Sequence, residues 1–251
     1  MKKSLRAAGI TDRGRVRANN EDRYLIVGEN SLQVFAVADG MGGHAAGEVA
    51  SAMALDAIQD YLNHHQEDLI AKAVEGESLQ SSLEAMLAAA NEKVFHTGKT
   101  KPEYSGMGTT LTLLLFVLES CWLAHIGDSR AYLLRQNKLV PLTEDHTLVS
   151  QLVKNGQISE EESVDHPQRH ILTRALGTDH ETTFDVLPVE VKPGDRLLLC
   201  TDGLHGFVAE EEILAVASQN KEPAEIVGDM VILANEKGGM DNITIVLIEV
   251  V

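Results

Sequence analysis

The sequence feature that most constrains the fold is an apolar stretch that ends abruptly at a carboxylate. Residues 34–38 are all apolar, Asp39 follows them, and three glycines occur within the next four positions. An apolar run with β-branched and aromatic members is typical of a buried strand. Glycines let the backbone turn sharply and approach a ligand closely. Because carboxylate and carbonyl oxygens bind hard cations, this strand end indicates one side of a metal site.

The same pattern recurs along the chain. Two further apolar runs end at Asp128 and Asp202, Asp241 precedes the last apolar run, and Asp22 opens another beside Glu21. Strand ends can gather along one sheet edge, where unpaired carboxylates would repel one another and raise their pKa values. Divalent cations relieve this repulsion, and all-oxygen ligands favour Mg²⁺, Mn²⁺ or Ca²⁺ over Zn²⁺. A single Asp-Gly pair is more often an ordinary turn, so the metal hypothesis depends on the recurrence.

Composition excludes several classes of function. The formal net charge is −17 over 251 residues, which opposes nucleic acid or an anionic membrane as partner. No apolar run approaches the roughly 20 residues of a membrane span, and the N-terminus has no apolar signal region. Cys121 and Cys200 both lie in apolar runs and are predicted to be reduced. We therefore expect a cytoplasmic protein.

The hydrophobic periodicity predicts an α+β fold in one domain. Two early helices are expected over 45–65 and 78–96, the second opened by a capping box at Ser81-x-x-Glu84 and ended near Gly98. Closely spaced apolar runs then indicate antiparallel hairpins rather than crossover connections. The remaining predicted strands lie at 4–10, 22–27, 109–117, 121–126, 131–135, 184–189, 196–200 and 242–251, and the remaining helices at 142–156, 209–218 and 223–237.

A pair of divalent cations can activate a bridging water and neutralise a phosphate ester. Such a site also needs a cation outside the cluster, ideally an arginine fork that holds the phosphate. Arg17 lies five residues before Asp22, with Arg13 and Arg15 in the same segment. The chain has no Cys-x5-Arg loop, which argues against a thiolate phosphatase.

Seven motifs together resemble the metal-dependent serine/threonine protein phosphatases of the type 2C class, in their compact bacterial form. The resemblance runs from about residue 5 to residue 250 and implies two antiparallel sheets between helix pairs, an α-β-β-α sandwich. It also implies one catalytic domain over 1–251, with a flap-like insert at about 145–183. The motifs are Arg17-x-x-Asn-Glu-Asp22, Val37-Ala-Asp-Gly-Met-Gly-Gly-His44, Gly106-Met-Gly-Thr-Thr110, Gly127-Asp-Ser-Arg130, Leu142-Thr-x-Asp-His146, Leu197-x-x-x-x-Asp-Gly203 and Asp241-Asn-Ile-Thr244.

The resemblance implies hydrolysis of phosphoserine and phosphothreonine at two Mn²⁺ or Mg²⁺ ions. Asp39 would bridge the two ions and the Gly40 carbonyl would bind one of them. Asp202 and Asp241 would complete the shell of the other ion.

The remaining site residues follow from the same resemblance. Asp22, with Glu21, would be a ligand or act through water, and Asp128 would help to hold a third, weaker metal. Arg17 would bind the substrate phosphate. The implied partner is a phosphoprotein modified by a serine/threonine kinase, and we expect a monomer.

One position departs from the family pattern. Many eukaryotic members have histidine directly after the Asp-Gly pair as a proposed general acid, whereas this chain has Met41. His44 is the nearest histidine, and it is either catalytic or a polar residue at a helix end. Metal-bound water could supply the proton instead.

Two other functions are compatible with parts of the sequence. Gly40-x-Gly42-x-x-Ala45 matches a dinucleotide-binding fingerprint, although Asp39 would place a negative charge near the pyrophosphate. A non-catalytic relative that binds without hydrolysis is the second alternative. It would be marked by lost carboxylates, and all five aspartates are present.

Overall fold

Two stacked antiparallel sheets form the centre of the molecule, in a computed structural model that describes residues 4–42 and 46–251. One sheet has the strand order β1-β11-β10-β7-β8, and the other has the order β2-β3-β5-β6-β9 with β4 beside β3. The strands are β1 (Leu5–Asp12), β2 (Asp22–Glu29), β3 (Leu32–Met41), β4 (Gly108–Thr109), β5 (Leu111–Val117), β6 (Ser120–Ile126), β7 (Arg130–Arg135), β8 (Lys138–Pro141), β9 (Asp185–Pro188), β10 (Arg196–Cys200) and β11 (Ile243–Val250).

Helices cover the outer faces of both sheets. The two long helices α1 and α2 pack on the β2-β3-β5 sheet, and α5, α6 and α7 pack on the other. The helices are α1 (Ala46–Glu75), α2 (Gln80–Thr100), α3 (Leu148–Lys154), α4 (Glu160–Val164), α5 (Asp202–His205), α6 (Glu210–Ala217) and α7 (Pro223–Glu236). Within the described ranges, no helix combines the length and the apolar character that crossing a bilayer requires.

Side-chain alternation along the strands explains the layers. In β3, Val34 and Ala36 face α1 and α2, whereas Phe35 and Val37 face the opposing sheet. Such alternation is expected because successive strand residues point to opposite faces. The fold has three apolar layers, one between the sheets and one under each helical group. This arrangement confirms the predicted α-β-β-α sandwich, and its antiparallel pairing excludes the dinucleotide-binding alternative.

Several predicted boundaries were wrong. α1 continues ten residues beyond the predicted end, to Glu75. α2 begins after Leu79 with no side-chain cap, and Ser81 and Glu84 lie inside its first turns, so the predicted capping box does not form. At this helix start Leu79 is almost fully buried, and Ser78 Oγ accepts a hydrogen bond from the Gln80 amide at 3.3 Å. Gly98 lies within α2, which runs on to Thr100.

The helix predicted over 142–156 is shorter than expected. α3 starts only at Leu148, where the Thr147 side chain accepts a hydrogen bond from the Ser150 amide. The preceding residues are extended, because they hydrogen-bond to the turn between β6 and β7. The His146 amide donates to the Gly127 carbonyl at 2.8 Å, and the Gly127 amide donates to His146 Nδ1 at 3.1 Å.

Candidate metal centre

The predicted site residues meet at one cleft of about 610 Å³, which lies at the ends of strands from both sheets. Asp22 is buried directly opposite Asp39 in the register between β2 and β3. His44 lies outside the described residues. The cleft is lined by Arg17, Glu21, Asp39, Gly40, Met41, Gly42, Thr110, Asp128, His170, Leu172, Asp202, Phe207, Asp241 and Asn242.

The backbone of Asp39 is fixed by Thr109 and Thr110, the two threonines that end the sequence motif at 106–110. Its amide donates to Thr110 Oγ1 at 2.9 Å. Its carbonyl accepts from the Thr110 amide at 2.9 Å and from Thr109 Oγ1 at 2.8 Å. These bonds hold the end of β3 in place and leave the Asp39 carboxylate directed at the cleft.

Asp22 is held by a buried hydroxyl from the other sheet. Thr201 Oγ1 donates to Asp22 Oδ2 at 2.7 Å, and the same hydroxyl accepts from the Thr244 amide at 3.0 Å. Both threonines are fully buried. This bridge joins the start of β2 to the segment that leads into Asp202.

Close packing explains two of the glycines around the site. A Cβ on Gly40 would lie 2.0 Å from the Gly47 carbonyl oxygen, and one on Gly47 would lie 2.3 Å from Glu21 Oε2. The Gly40 amide donates to the Glu21 carbonyl at 3.2 Å. The end of β3, the start of α1 and the segment before β2 therefore pack with no room for side chains.

Arg17 and Asp241 form the opposite side of the cleft. Arg17 Nη2 lies 2.6 Å from Asp241 Oδ2, and the arginine side chain is 55% exposed. Asn242 fixes the segment that carries Arg17, because its Nδ2 donates to the carbonyls of Arg13 and Asn19 at 3.0 and 2.9 Å. Its Oδ1 accepts from the Glu21 amide at 2.8 Å.

Asp128 lies in the turn between β6 and β7, and neighbouring side chains hold that turn. His205 Nε2 lies 3.0 Å from the Asp128 carbonyl oxygen, which links the turn to α5 and hence to Asp202. Arg130 forms two 2.8 Å hydrogen bonds to Asp145 on the other side of the turn.

The electrostatics of the cleft are those of uncompensated carboxylates. Burial first, and then repulsion from neighbouring aspartates, raises the pKa of Asp128 to about 8 and that of Asp202 to about 6. Burial also raises the pKa of Asp22 to about 7, against the hydrogen bond from Thr201. The pKa of Asp39 is raised well above its ordinary value by burial and by the charge of Asp22.

The donor set fits hard divalent cations. Asp22 Oδ1 and Asp202 Oδ1 are buried and have no hydrogen-bond partner among the described residues. Buried carboxylate oxygens are normally satisfied, so these two atoms call for a cationic partner. Within residues 4–42 and 46–251, no three Asp, Glu, His or Cys side chains form a preformed metal-binding group. The carboxylates instead surround the cleft, as expected for like charges that repel.

Sequence reasoning missed the residues that position the carboxylates. Thr201, Thr244 and His205 each carry a contact described above, and none was identified as a site residue. Their identity was visible in the motifs, since Thr201 immediately precedes Asp202 and Thr244 closes the last motif. A hydroxyl at the end of an apolar strand, next to a predicted ligand, is the pattern that could have found them.

Comparison with known proteins places the chain in a family. The sequence profile described as "Protein phosphatase 2C" matches residues 11–240. The chain is 44% identical over 247 residues to the serine/threonine protein phosphatase PstP of Mycobacterium tuberculosis, covering 98% of this chain and 45% of that protein. It is 38% identical to the serine/threonine phosphatase stp of Listeria welshimeri, covering 95% of this chain and 93% of that protein.

A solved structure shows the same fold. The catalytic domain of serine threonine protein phosphatase PstP, in complex with two manganese ions, superposes with a TM-score of 0.83 at 40% identity and covers 100% of both chains. The chain therefore belongs to the protein phosphatase 2C family, which confirms the resemblance drawn from the motifs. It spans less than half the length of the mycobacterial relative.

Proposed function

We propose that the protein hydrolyses phosphoserine and phosphothreonine in protein substrates, using two Mn²⁺ or Mg²⁺ ions per chain. The observation that carries the proposal is the convergence of four aspartates from separate segments on one cleft, with Asp22 buried opposite Asp39 and Arg17 in the cleft lining. The manganese complex of PstP, at 40% identity, supports the choice of metal. The presence of all five carboxylates argues against a non-catalytic binding module.

Each acidic group has a distinct proposed role. Asp39 would hold both cations and the Gly40 carbonyl would hold one, while Asp202 and Asp241 would hold the other. Asp22 acts as a ligand or through water, together with Glu21. Asp128 holds a third and weaker cation. When bound, such a pair of cations supplies an activated bridging water and neutralises the charge of a phosphate ester.

Arg17 binds the substrate phosphate. Its side chain is half exposed, already lies at the cleft and carries the planar fork that suits phosphate oxygens. Arg17 Nη2 pairs with Asp241 Oδ2 at 2.6 Å, and a phosphate would compete with Asp241 for the guanidinium. A cation held by Asp241 would in turn compete with Arg17 for that carboxylate.

The segment at about 145–183 is proposed to form a flap beside the site, within one catalytic domain. Its residues His170 and Leu172 line the cleft, and the Leu148 amide donates to the Ile171 carbonyl at 2.8 Å. The catalytic role of His44, the cytoplasmic location, the monomeric state and the opposing kinase stay predictions.

The test is phosphatase assay of the purified chain on a phosphothreonine peptide, after chelation and after Mn²⁺ addition. We expect activity only with the metal, and a loss of at least about a hundredfold in kcat for Asp39→Asn. The matched control is Asp56→Asn, an exposed aspartate of α1 that does not line the cleft. Activity that survives chelation, or an Asp39→Asn enzyme as active as the control, would refute the proposal.

A further inference from the structure

Most arginines of this protein form an ion pair with a carboxylate, and a few do not. The chain has ten arginines, and seven of them form ion pairs with Asp or Glu within the described residues. Three, namely Arg13, Arg15 and Arg169, have no such partner in residues 4–42 and 46–251. In a chain of net charge −17, carboxylates are abundant, so the unpaired arginines need an explanation.

All three unpaired arginines are close in the chain to residues that line the acidic cleft, and Gly14, between Arg13 and Arg15, packs against the backbone of Asp241, where a Cβ would lie 2.2 Å from the carbonyl oxygen. Arg13 and Arg15 belong to the segment that carries Arg17, and Arg169 directly precedes His170, which lines the cleft from the other side. His170 is close enough to Arg169, Arg17 and Asp241 for the charge of each to act on its pKa. The three side chains are exposed.

The segment that carries Arg13 and Arg15 is held firmly. The Arg15 and Val16 amides both donate to the Gly239 carbonyl, at 2.7 and 3.2 Å. The Arg13 carbonyl accepts from Asn242 Nδ2 at 3.0 Å, and the Gly14 amide donates to Asp12 Oδ1 at 2.8 Å. Arg13 Nη1 also donates to the Ala18 carbonyl at 3.3 Å. A fixed backbone with exposed arginine side chains presents positive charge in the segment that carries Arg17, which lowers the ordering cost of binding an anion.

From these observations we propose an anionic subsite at the edge of the cleft, formed by Arg15 and Arg13. It binds an acidic or phosphorylated side chain that flanks the phosphorylated residue of the substrate. This inference rests on the proposed phosphatase function and specifies its substrate class. A chain with a net charge of −17 repels an acidic peptide, and local cations at the subsite reverse that effect.

The subsite is tested with two phosphothreonine peptides that differ only in the residues flanking the phosphothreonine. These residues are Glu in one peptide and Lys in the other. With Mn²⁺ present, we expect kcat/KM to favour the Glu peptide, and added salt to reduce the preference because exposed charges are screened. Arg15→Gln should lower the Glu-over-Lys ratio about threefold to fivefold, and Arg13→Gln/Arg15→Gln about tenfold. Arg15→Glu should shift the ratio further, towards the Lys peptide.

The matched control is Lys138→Gln, which removes an exposed cation where β7 turns into β8, at the other end of β7 from Arg130 and the cleft. It should leave the Glu-over-Lys ratio unchanged. Wild-type protein that hydrolyses both peptides equally well, or Arg15→Glu with the wild-type ratio, would overturn the subsite and leave the phosphatase intact. Wild-type protein that hydrolyses neither peptide with Mn²⁺ would overturn the proposed function and the subsite with it.

Discussion

Replacement of Arg17 by alanine tests the phosphate-binding role most directly, and the structure sets its magnitude. A charge-assisted hydrogen bond to phosphate contributes about 1.5–3 kcal/mol. Arg17 first has to leave Asp241, and this pair is worth only about 0.2–1 kcal/mol because the arginine side chain is 55% exposed. The difference, about 0.5–2.8 kcal/mol, corresponds to an increase in KM of about 2- to 100-fold for Arg17→Ala.

Initial rates on a phosphothreonine peptide at saturating Mn²⁺ separate KM from kcat. Arg17→Lys should fall between wild type and Arg17→Ala, because lysine keeps the charge and loses the planar fork. Calorimetric Mn²⁺ titration of each variant checks that the loss of Arg17 leaves metal binding intact. A drop in kcat with unchanged KM would refute ground-state phosphate binding by this residue.

The remaining predictions concern stability. Mn²⁺ at about a hundred times its Kd should raise Tm by about 5–10 °C in wild type, with a much smaller shift in Asp39→Asn, as measured by differential scanning calorimetry. Arg135→Met should lower the free energy of unfolding by about 2 kcal/mol, because Arg135 donates hydrogen bonds of 2.9 and 2.7 Å to the buried Asp195 carboxylate. Burial acts to raise the pKa of Asp195, but hydrogen bonds from Arg135 and the Lys192 amide lower it overall. The difference in free energy of unfolding between Arg135→Met and wild type should therefore be greatest at neutral pH and shrink as pH falls below about 4. A difference that stays constant with pH would contradict the role assigned to this ion pair. His205→Phe should lower the free energy of unfolding by about 1–2 kcal/mol in chemical denaturation, because the bond to the Asp128 carbonyl is lost, and His205→Asn should recover part of it.

The layered fold was predictable because local patterns determine it. The continuous apolar run of β3 is typical of a strand buried on both faces, and the short turns that join β5 to β6 and β7 to β8 indicate antiparallel neighbours. Helix starts were less predictable, since α2 begins after the buried Leu79 although a capping sequence lay two residues later. Local hydrogen-bonding patterns carry no information on which side chains the tertiary fold will bury.

The carboxylates of the site could be predicted from the sequence, but the residues that hydrogen-bond to them and hold them in position could not. Asp39 and Asp202 stand out because charge at the end of an apolar run is unusual. Thr110 and Thr201 stand next to apolar strands, where β-branched residues are common, so the local sequence does not tell which carboxylate or amide they bond. Their partners Asp39 and Asp22 lie 71 and 179 residues away, and only the packing of the two sheets brings each pair together.

The position of Asp22 opposite Asp39 indicates that this part of the sheet is organised for binding rather than for stability. Like charges directly across an antiparallel pair are destabilising, and here both side chains are also buried. Elsewhere in the same chain, buried or half-buried carboxylates such as Asp145 and Asp195 each have an arginine fork. The fold therefore neutralises these acidic groups with arginine forks, whereas at the cleft only Asp241 has an arginine partner and Asp22, Asp39, Asp128 and Asp202 have none within the described residues. A chain that pairs its other buried carboxylates and leaves these four without a cation leaves their charge for metal ions to neutralise.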